Sequence, residues 1–140
     1  MVTNNILAKN RLLGAFEVEY CDISYLEVLV LVRNYIHKGH RLLTHPLSGS
    51  VKPNETPYKS VVISAEAQSL DTESLSIIEE SIACYKKFAA HKKVTLGRPQ
   101  QSCGYDFLAY NKVPESVLKD FMEIDCSLVS YLAKDQGGLA

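Results

Sequence analysis

Between Gly39 and Tyr58 the chain gathers two imidazoles (His40, His45), the hydroxyls of Thr44, Ser48, Ser50 and Thr56, the ammonium of Lys52, the amide of Asn54 and the carboxylate of Glu55. The first chemistry this suggests is anion binding. Ser48-Gly49-Ser50 can offer successive backbone amides as a nest, with hydroxyls beside them and Lys52 as the counter-charge. A phosphate or a carboxylate would suit such a pocket. The expected lining is Thr44, His45, Ser48, Gly49, Ser50, Lys52, Asn54 and Glu55 around one cavity. The segment is not a Walker A loop, because the Gly-Lys-Ser/Thr signature and its following helix are absent. The plainer reading is a proline-rich turn whose Ser and Thr side chains satisfy their own backbone.

Other chemistries compete for the same residues. His40 or His45 could move protons near neutral pH, with Glu55 orienting the ring; the alternative for each is a structural histidine bonded to a nearby carbonyl. His37, His40, His45 and Glu55 offer ligands for a metal, but His37 already has a place at a helix end, no cysteine is near, and the spacing fits no standard site. No metal is therefore expected. Cys103 in Arg98-Pro99-Gln100-Gln101-Ser102-Cys103-Gly104 is the cysteine most open to reaction, and Arg98 would favour its thiolate; an exposed cysteine without a role is the simpler reading.

The elements that must position this segment can be read from the pattern. Phe16 to Tyr20 alternates apolar and acidic residues as a half-exposed strand does, and its glutamates would protect an edge. Asn4 to Leu13 reads as a first helix. Its Asn4-Asn5 pair would serve as cap, or else lend polar atoms to a pocket at the helix N-terminus. Before it, Met1 to Thr3 suffice for a strand stub. Ser24-Tyr25-Leu26-Glu27 is a capping box, and the helix it opens is apolar nearly all round, which predicts deep burial. His37 and Lys38 oppose the dipole at its end, and Gly39 is the expected C′ residue. Arg41 to Thr44 and Tyr58 to Ser64 read as strands, the second covered on both faces because Val61-Val62-Ile63 is continuously apolar. Between them Pro46, Pro53 and Pro57 fix φ and restrict their predecessors, so the loop is partly pre-shaped.

Asp71 or Thr72 caps a long helix to about His91, with Leu75, Ile78, Ile82, Tyr85 and Ala89 as its inner stripe and Glu79, Glu80, Lys86 and Lys87 in water. A last helix follows Pro114 and runs through Lys134, with Val117, Phe121, Ile124, Leu128 and Leu132 as its stripe. The order predicts a single α/β domain over 1–140, a small, mostly parallel sheet with helices on both faces. Ligands of such sheets bind beyond the carboxyl ends of the strands, which is where the proline-bearing loop leaves Thr44.

Composition bounds the function. The 140 residues carry a net charge of −1, which speaks against wholesale nucleic-acid or membrane binding. No apolar run is long enough for a membrane span, and the start lacks the layout of a signal peptide. Cys21, Cys84, Cys103 and Cys126 form no CxxC pair and read as reduced thiols of a cytoplasmic protein. Charge is uneven: from His37 to Lys59 the cations Lys38, Arg41, Lys52 and Lys59 face one anion, Glu55, a net of +3. Such a field concentrates anions.

The string Gly39-His40, Leu42-Leu43-Thr44-His45-Pro46-Leu47, Gly49-Ser50 and Lys52-Pro53-Asn54-Glu55-Thr56-Pro57-Tyr58 resembles the GrdX family. These are small proteins of unassigned chemistry encoded near the glycine, sarcosine and betaine reductase systems of anaerobic bacteria. Thr3-Asn4-Asn5 and Asp120-Phe121 match more faintly. The short N-terminus departs from the family and puts the first strand in question. The resemblance implies a cytosolic accessory protein in selenium- and thiol-dependent amino-acid reduction, with reductase components as partners. It supplies no catalytic residues and no cofactor. The expectation is an accessory or ligand-sensing protein that takes a small anion or a partner surface on the 44–58 loop. An enzyme using His40 or His45 and a purely structural assembly factor are the alternatives. Tyr and Leu side chains on strand edges would suit a homodimer.

Overall fold

A computed structural model describes residues 1–48, 56–96 and 115–135, with the side chains of 1–48, 56–88 and 115–131. The first elements are β1 (Val2–Thr3), α1 (Ile6–Leu12) and β2 (Glu19–Tyr20), and β1 and β2 are parallel neighbours. Asn5 caps α1: its Oδ1 accepts the Leu7 N–H at 3.0 Å. Next comes α2 (Tyr25–His37), opened by the expected capping box, in which the Ser24 hydroxyl accepts the Glu27 N–H and the Glu27 carboxylate accepts the Ser24 N–H. It ends in a Schellman motif. The His40 N–H returns to the Tyr35 carbonyl and the Gly39 N–H to that of Ile36, with Gly39 at φ 109°. Val28, Leu29, Val32 and Ile36 are fully buried, as an apolar helix requires.

The sheet is mixed, not mostly parallel. Its order is β2-β1-β3, with β3 (Ser60–Val61) antiparallel to β1. The reason lies in the connection after α2. Leu42 bridges Ile63 antiparallel, so the chain goes out along Leu42 and returns beside itself like a wide hairpin. The strand expected over Arg41 to Thr44 shrinks to that one bridge. The Leu43 and Thr44 amides both donate to the Val62 carbonyl, and the Thr44 hydroxyl takes the Val62 N–H in place of a ladder carbonyl.

Two helices complete the described chain. In α3 (Thr72–Leu96) the Asp71 carboxylate accepts both the N–H and the hydroxyl of Ser74, and Ile78, Ile82 and Tyr85 are buried. Ala89 of the expected stripe lies outside the described side chains. The last helix, α4 (Glu115–Asp135), is rotated from expectation: Ile124 is 39% exposed while Asp125, Cys126 and Val129 are buried.

Two apolar clusters hold the elements together. Val2 and Val61 join α2 and α3 residues in one, and Tyr25 stacks on Tyr85 with ring centroids 5.0 Å apart. Met1, Val62 and Leu43 join Ala8 and Leu12 of α1 and Cys126 and Val129 of α4 in the other.

Candidate functional site

The carboxyl ends of β1 and β2 and the start of β3 meet at a buried polar centre. Asn4 is the first part of it. Its Oδ1 accepts the Lys59 N–H at 2.8 Å, and its Nδ2 donates to the carbonyls of Ile23 at 2.8 Å and Pro57 at 2.7 Å. One side chain thereby fixes the return of the proline-bearing loop against β1. Asn5 does two tasks: besides capping α1, its Nδ2 donates to the Met122 carbonyl at 2.9 Å and to Asp125 Oδ2 at 3.0 Å.

Asp125 is the hub. Its Oδ1 accepts the Ser60 N–H at 3.1 Å, and its Oδ2 accepts the Ser60 hydroxyl at 2.7 Å beside the Asn5 amide. With the Ser60 proton committed to the carboxylate, the 2.7 Å bond between Thr3 Oγ1 and Ser60 Oγ is donated by Thr3. Thr3 Oγ1 in turn accepts the Asn5 N–H at 2.9 Å. Donors and acceptors thus run in one direction from the backbone of α1 to the carboxylate of α4, and networks so ordered reinforce each other.

Lys59 lies next to this hub and is 5% exposed. Its Nζ donates to the Ser48 carbonyl at 2.6 Å, which among the described residues is its one hydrogen-bond partner. An ammonium has three N–H donors, so among the described residues two have no acceptor. Burial lowers its pKa to about 8, with Asp125 pulling the other way; no Lys59–Asp125 ion pair within 4.0 Å forms.

Two small spaces adjoin the ammonium. One, of about 10 Å³, is lined by Thr44, His45, Ser48, Lys59, Ser60 and Asp125 with Leu128 and Val129. The other, of about 20 Å³, shares Ser48, Lys59, Asp125 and Leu128 and extends toward Tyr25 and Phe121. Each has room for about one water-sized atom.

His45, an exposed residue, lines the rim of this space with its ring in a defined form. Its Nδ1 accepts the Leu47 N–H at 3.1 Å, so the neutral ring carries its proton on Nε2. Partial burial of the ring, and then the Lys59 charge, lower its pKa. The Thr44 hydroxyl accepts from Val62 and keeps its own proton to give. Lys59, His45 and Thr44, each with a donor group, therefore line one cavity, while the Asp125 oxygens hold three hydrogen bonds.

Of the residues singled out in the sequence, Thr44, His45 and Ser48 line this cavity together. Gly49, Ser50, Lys52, Asn54, Glu55 and Cys103 lie outside the described residues. His40 is not with His45. It sits at the opposite end of the sheet, its Nδ1 2.8 Å from the Ser64 carbonyl and its ring edge-on to Tyr35. Among the described residues no three His, Cys, Asp or Glu side chains gather as metal ligands.

Sequence reasoning missed Thr3, Lys59, Ser60 and Asp125. The sequence reading sets Lys59 and Ser60 inside the strand Tyr58 to Ser64 and counts Lys59 only as one cation of the positive window, not as a site residue. A signal for Asp125 did exist: Leu118, Met122, Cys126 and Val129 share one helical face, and an acid set in that face needs a partner.

Comparison with known proteins adds a family. The GrdX-like protein family model matches residues 1–133. This chain belongs to the GrdX-like family. The match covers β1 to α4, so in this GrdX-like chain the Lys59–Asp125 centre falls wholly inside the family's span. The family name suggests association with glycine reductase systems. No curated protein and no solved structure matches the chain.

Proposed function

We propose that this chain is an accessory or ligand-sensing protein of the glycine, sarcosine and betaine reductase systems, and that it holds a small anion at Lys59. The observation that carries the reading is the lining of one cavity by Lys59, His45 and Thr44, each a donor residue, beside an Asp125 carboxylate that already accepts three hydrogen bonds from Ser60 and Asn5. Charge-assisted donors are the strongest partners an anionic oxygen can find. The space beside Lys59 admits one such oxygen rather than a whole molecule. A carboxylate or phosphate would insert one oxygen there and keep its body outside. The position, beyond the carboxyl end of β1, is where open α/β sheets place their ligands.

The same reading has α2 and α3 covering one face of the sheet and α1 and α4 the other, since Val61 and Val62 are consecutive yet belong to different clusters. A structural role in assembly is the second reading, favoured by the Lys59 to Ser48 bond, which pins the turn after His45.

A thermal-shift titration with glycine, sarcosine, betaine, acetate and phosphate separates the two. Ligand at about 100 times Kd should add about 2.7 kcal/mol to the wild type, and Lys59→Met should abolish that increment. No shift with any of the five would defeat the anion reading and leave the assembly role.

A further inference from the structure

Among the described residues Lys59 is the one lysine that the fold buries. A surface lysine keeps its charge in water, and a buried one in an ion pair keeps it against a carboxylate. Lys59 does neither: among the described residues no carboxylate lies within 4.0 Å of it, and its Nζ donates to the Ser48 carbonyl at 2.6 Å. An amine held in this way reaches its neutral, nucleophilic form more readily than an exposed one, and burial does lower its pKa to about 8. Three features of its surroundings suit the chemistry of such an amine. The first is space: the cavity of about 10 Å³ beside it admits one further atom, the room that a single new carbon on Nζ needs. The second is charge: Asp125 lines the same cavity and favours a positive charge on that nitrogen. The third is the rim, where Thr44 keeps a hydroxyl proton to give and His45, its Nδ1 occupied by the Leu47 N–H, carries its proton on Nε2. A carboxylate would find partners there, next to the amine.

We propose that Lys59 is a covalent site, at which the amine condenses with the carbonyl of a small 2-oxo acid to form an imine, the acid's carboxylate resting on Thr44 and His45. Resting on the anion reading above for the place of the carboxylate, the step adds one bond to it. The neutral Nζ attacks the carbonyl carbon. The carbonyl oxygen becomes the hydroxyl of a carbinolamine and leaves as water, carrying two of the three ammonium hydrogens, while the new N–C bond becomes double. Nothing is oxidised or reduced. The protonated imine keeps the positive charge that Asp125 favours, and it keeps one N–H, enough for the Ser48 carbonyl.

The test incubates the full chain at neutral pH with glyoxylate, the smallest 2-oxo acid, and sodium cyanoborohydride, which reduces an imine to a stable carboxymethyl amine. Peptide mass spectrometry then locates the adducts. Lys59 is expected to be modified on the order of tenfold faster than the exposed Lys38, Lys86 and Lys87, because more of it is neutral. Glyoxylate should also modify it on the order of tenfold faster than propanal, which has no carboxylate. Modification of Lys59 no faster than that of the three exposed lysines would overturn the proposal, and so would equal rates with propanal. Glycolate, a carboxylate without the carbonyl, keeps the two readings apart. If glycolate raises the Tm of the wild type but not of Lys59→Met while glyoxylate leaves no adduct, the covalent step falls and the anion site stands. No Tm shift and no adduct would remove both.

Discussion

An ammonium whose one described partner is a carbonyl is buried at a cost, and pH exposes the cost at Lys59. Desolvation takes its pKa from 10.5 to about 8, which corresponds to roughly 3 kcal/mol. Below pH 8 the folded and unfolded chains both carry the proton, and the penalty is present in full. Between pH 8 and 10.5 the unfolded chain still holds a proton that the folded one has released, so stability rises with pH. From about pH 9 the Cys126 thiol, and above pH 10 the Tyr25 and Tyr35 hydroxyls, all pushed up, act in the opposite sense, but they do so in Lys59→Met as well, so the difference between the two proteins reports Lys59 over the window pH 8–10. Urea unfolding at pH 7, 8, 9 and 10 should show the wild type gaining on Lys59→Met throughout that window, with the variant more stable at pH 7. Parallel curves for the two proteins would mean that the ammonium is better solvated than its burial implies. A residue kept at such a disadvantage is the kind of local conflict that marks a functional centre.

At the scale of elements, Gly39 carries the turn from α2 toward the site. At φ 109° it ends the helix, and a Cβ there would run into the Gln68 carbonyl, whose own amide donates to the Gly39 carbonyl. Gly39→Ala should therefore cost about 3 kcal/mol or more, combining backbone strain with displacement of residue 68. Equilibrium denaturation should register it as a lower midpoint at unchanged slope. This turn was legible in the sequence because everything that makes it is local: the Ser24–Glu27 box, the apolar run, His37-Lys38 and the glycine lie within one stretch. Strand direction was not, because nothing near Leu42 says that the proline-bearing loop brings Ile63 back beside it. The orientation of α4 was misread for a related reason. Val117, Phe121, Ile124 and Leu128 make a good stripe by period alone, and what rotates the helix is Asp125, whose partners Asn5 and Ser60 lie 120 and 65 residues away. The three cavity-lining residues singled out in the sequence, Thr44, His45 and Ser48, sit in one turn, and the residues of the polar centre that were not singled out come from three other stretches.

Across the whole molecule the two apolar clusters are unequal. Among the described side chains, the one built on α2 and α3 holds ten buried residues and the one built on α1 and α4 holds six, so within them α4 depends more heavily on its polar anchor. That anchor is Asp125, 8% exposed, because Arg11 and Glu123, the ion pair between α1 and α4, are about half exposed and such pairs contribute little. Asp125→Ala would leave the Ser60 N–H, the Ser60 hydroxyl and one Asn5 N–H without their acceptor, at about 3–5 kcal/mol in total. The loss should be uneven. Native-state hydrogen exchange is expected to show α1 and α4 opening first, with α2 and α3 retaining their protection up to the global limit. If all four helices lost protection equally, the molecule would be one cooperative unit. Uneven loss would instead mean that the wall of the Lys59 cavity formed by Leu128 and Val129 is the part of the fold that yields. An anion at Lys59 should then slow exchange in α4 of the wild type more than in α2, which joins the stability of that helix to occupancy of the site.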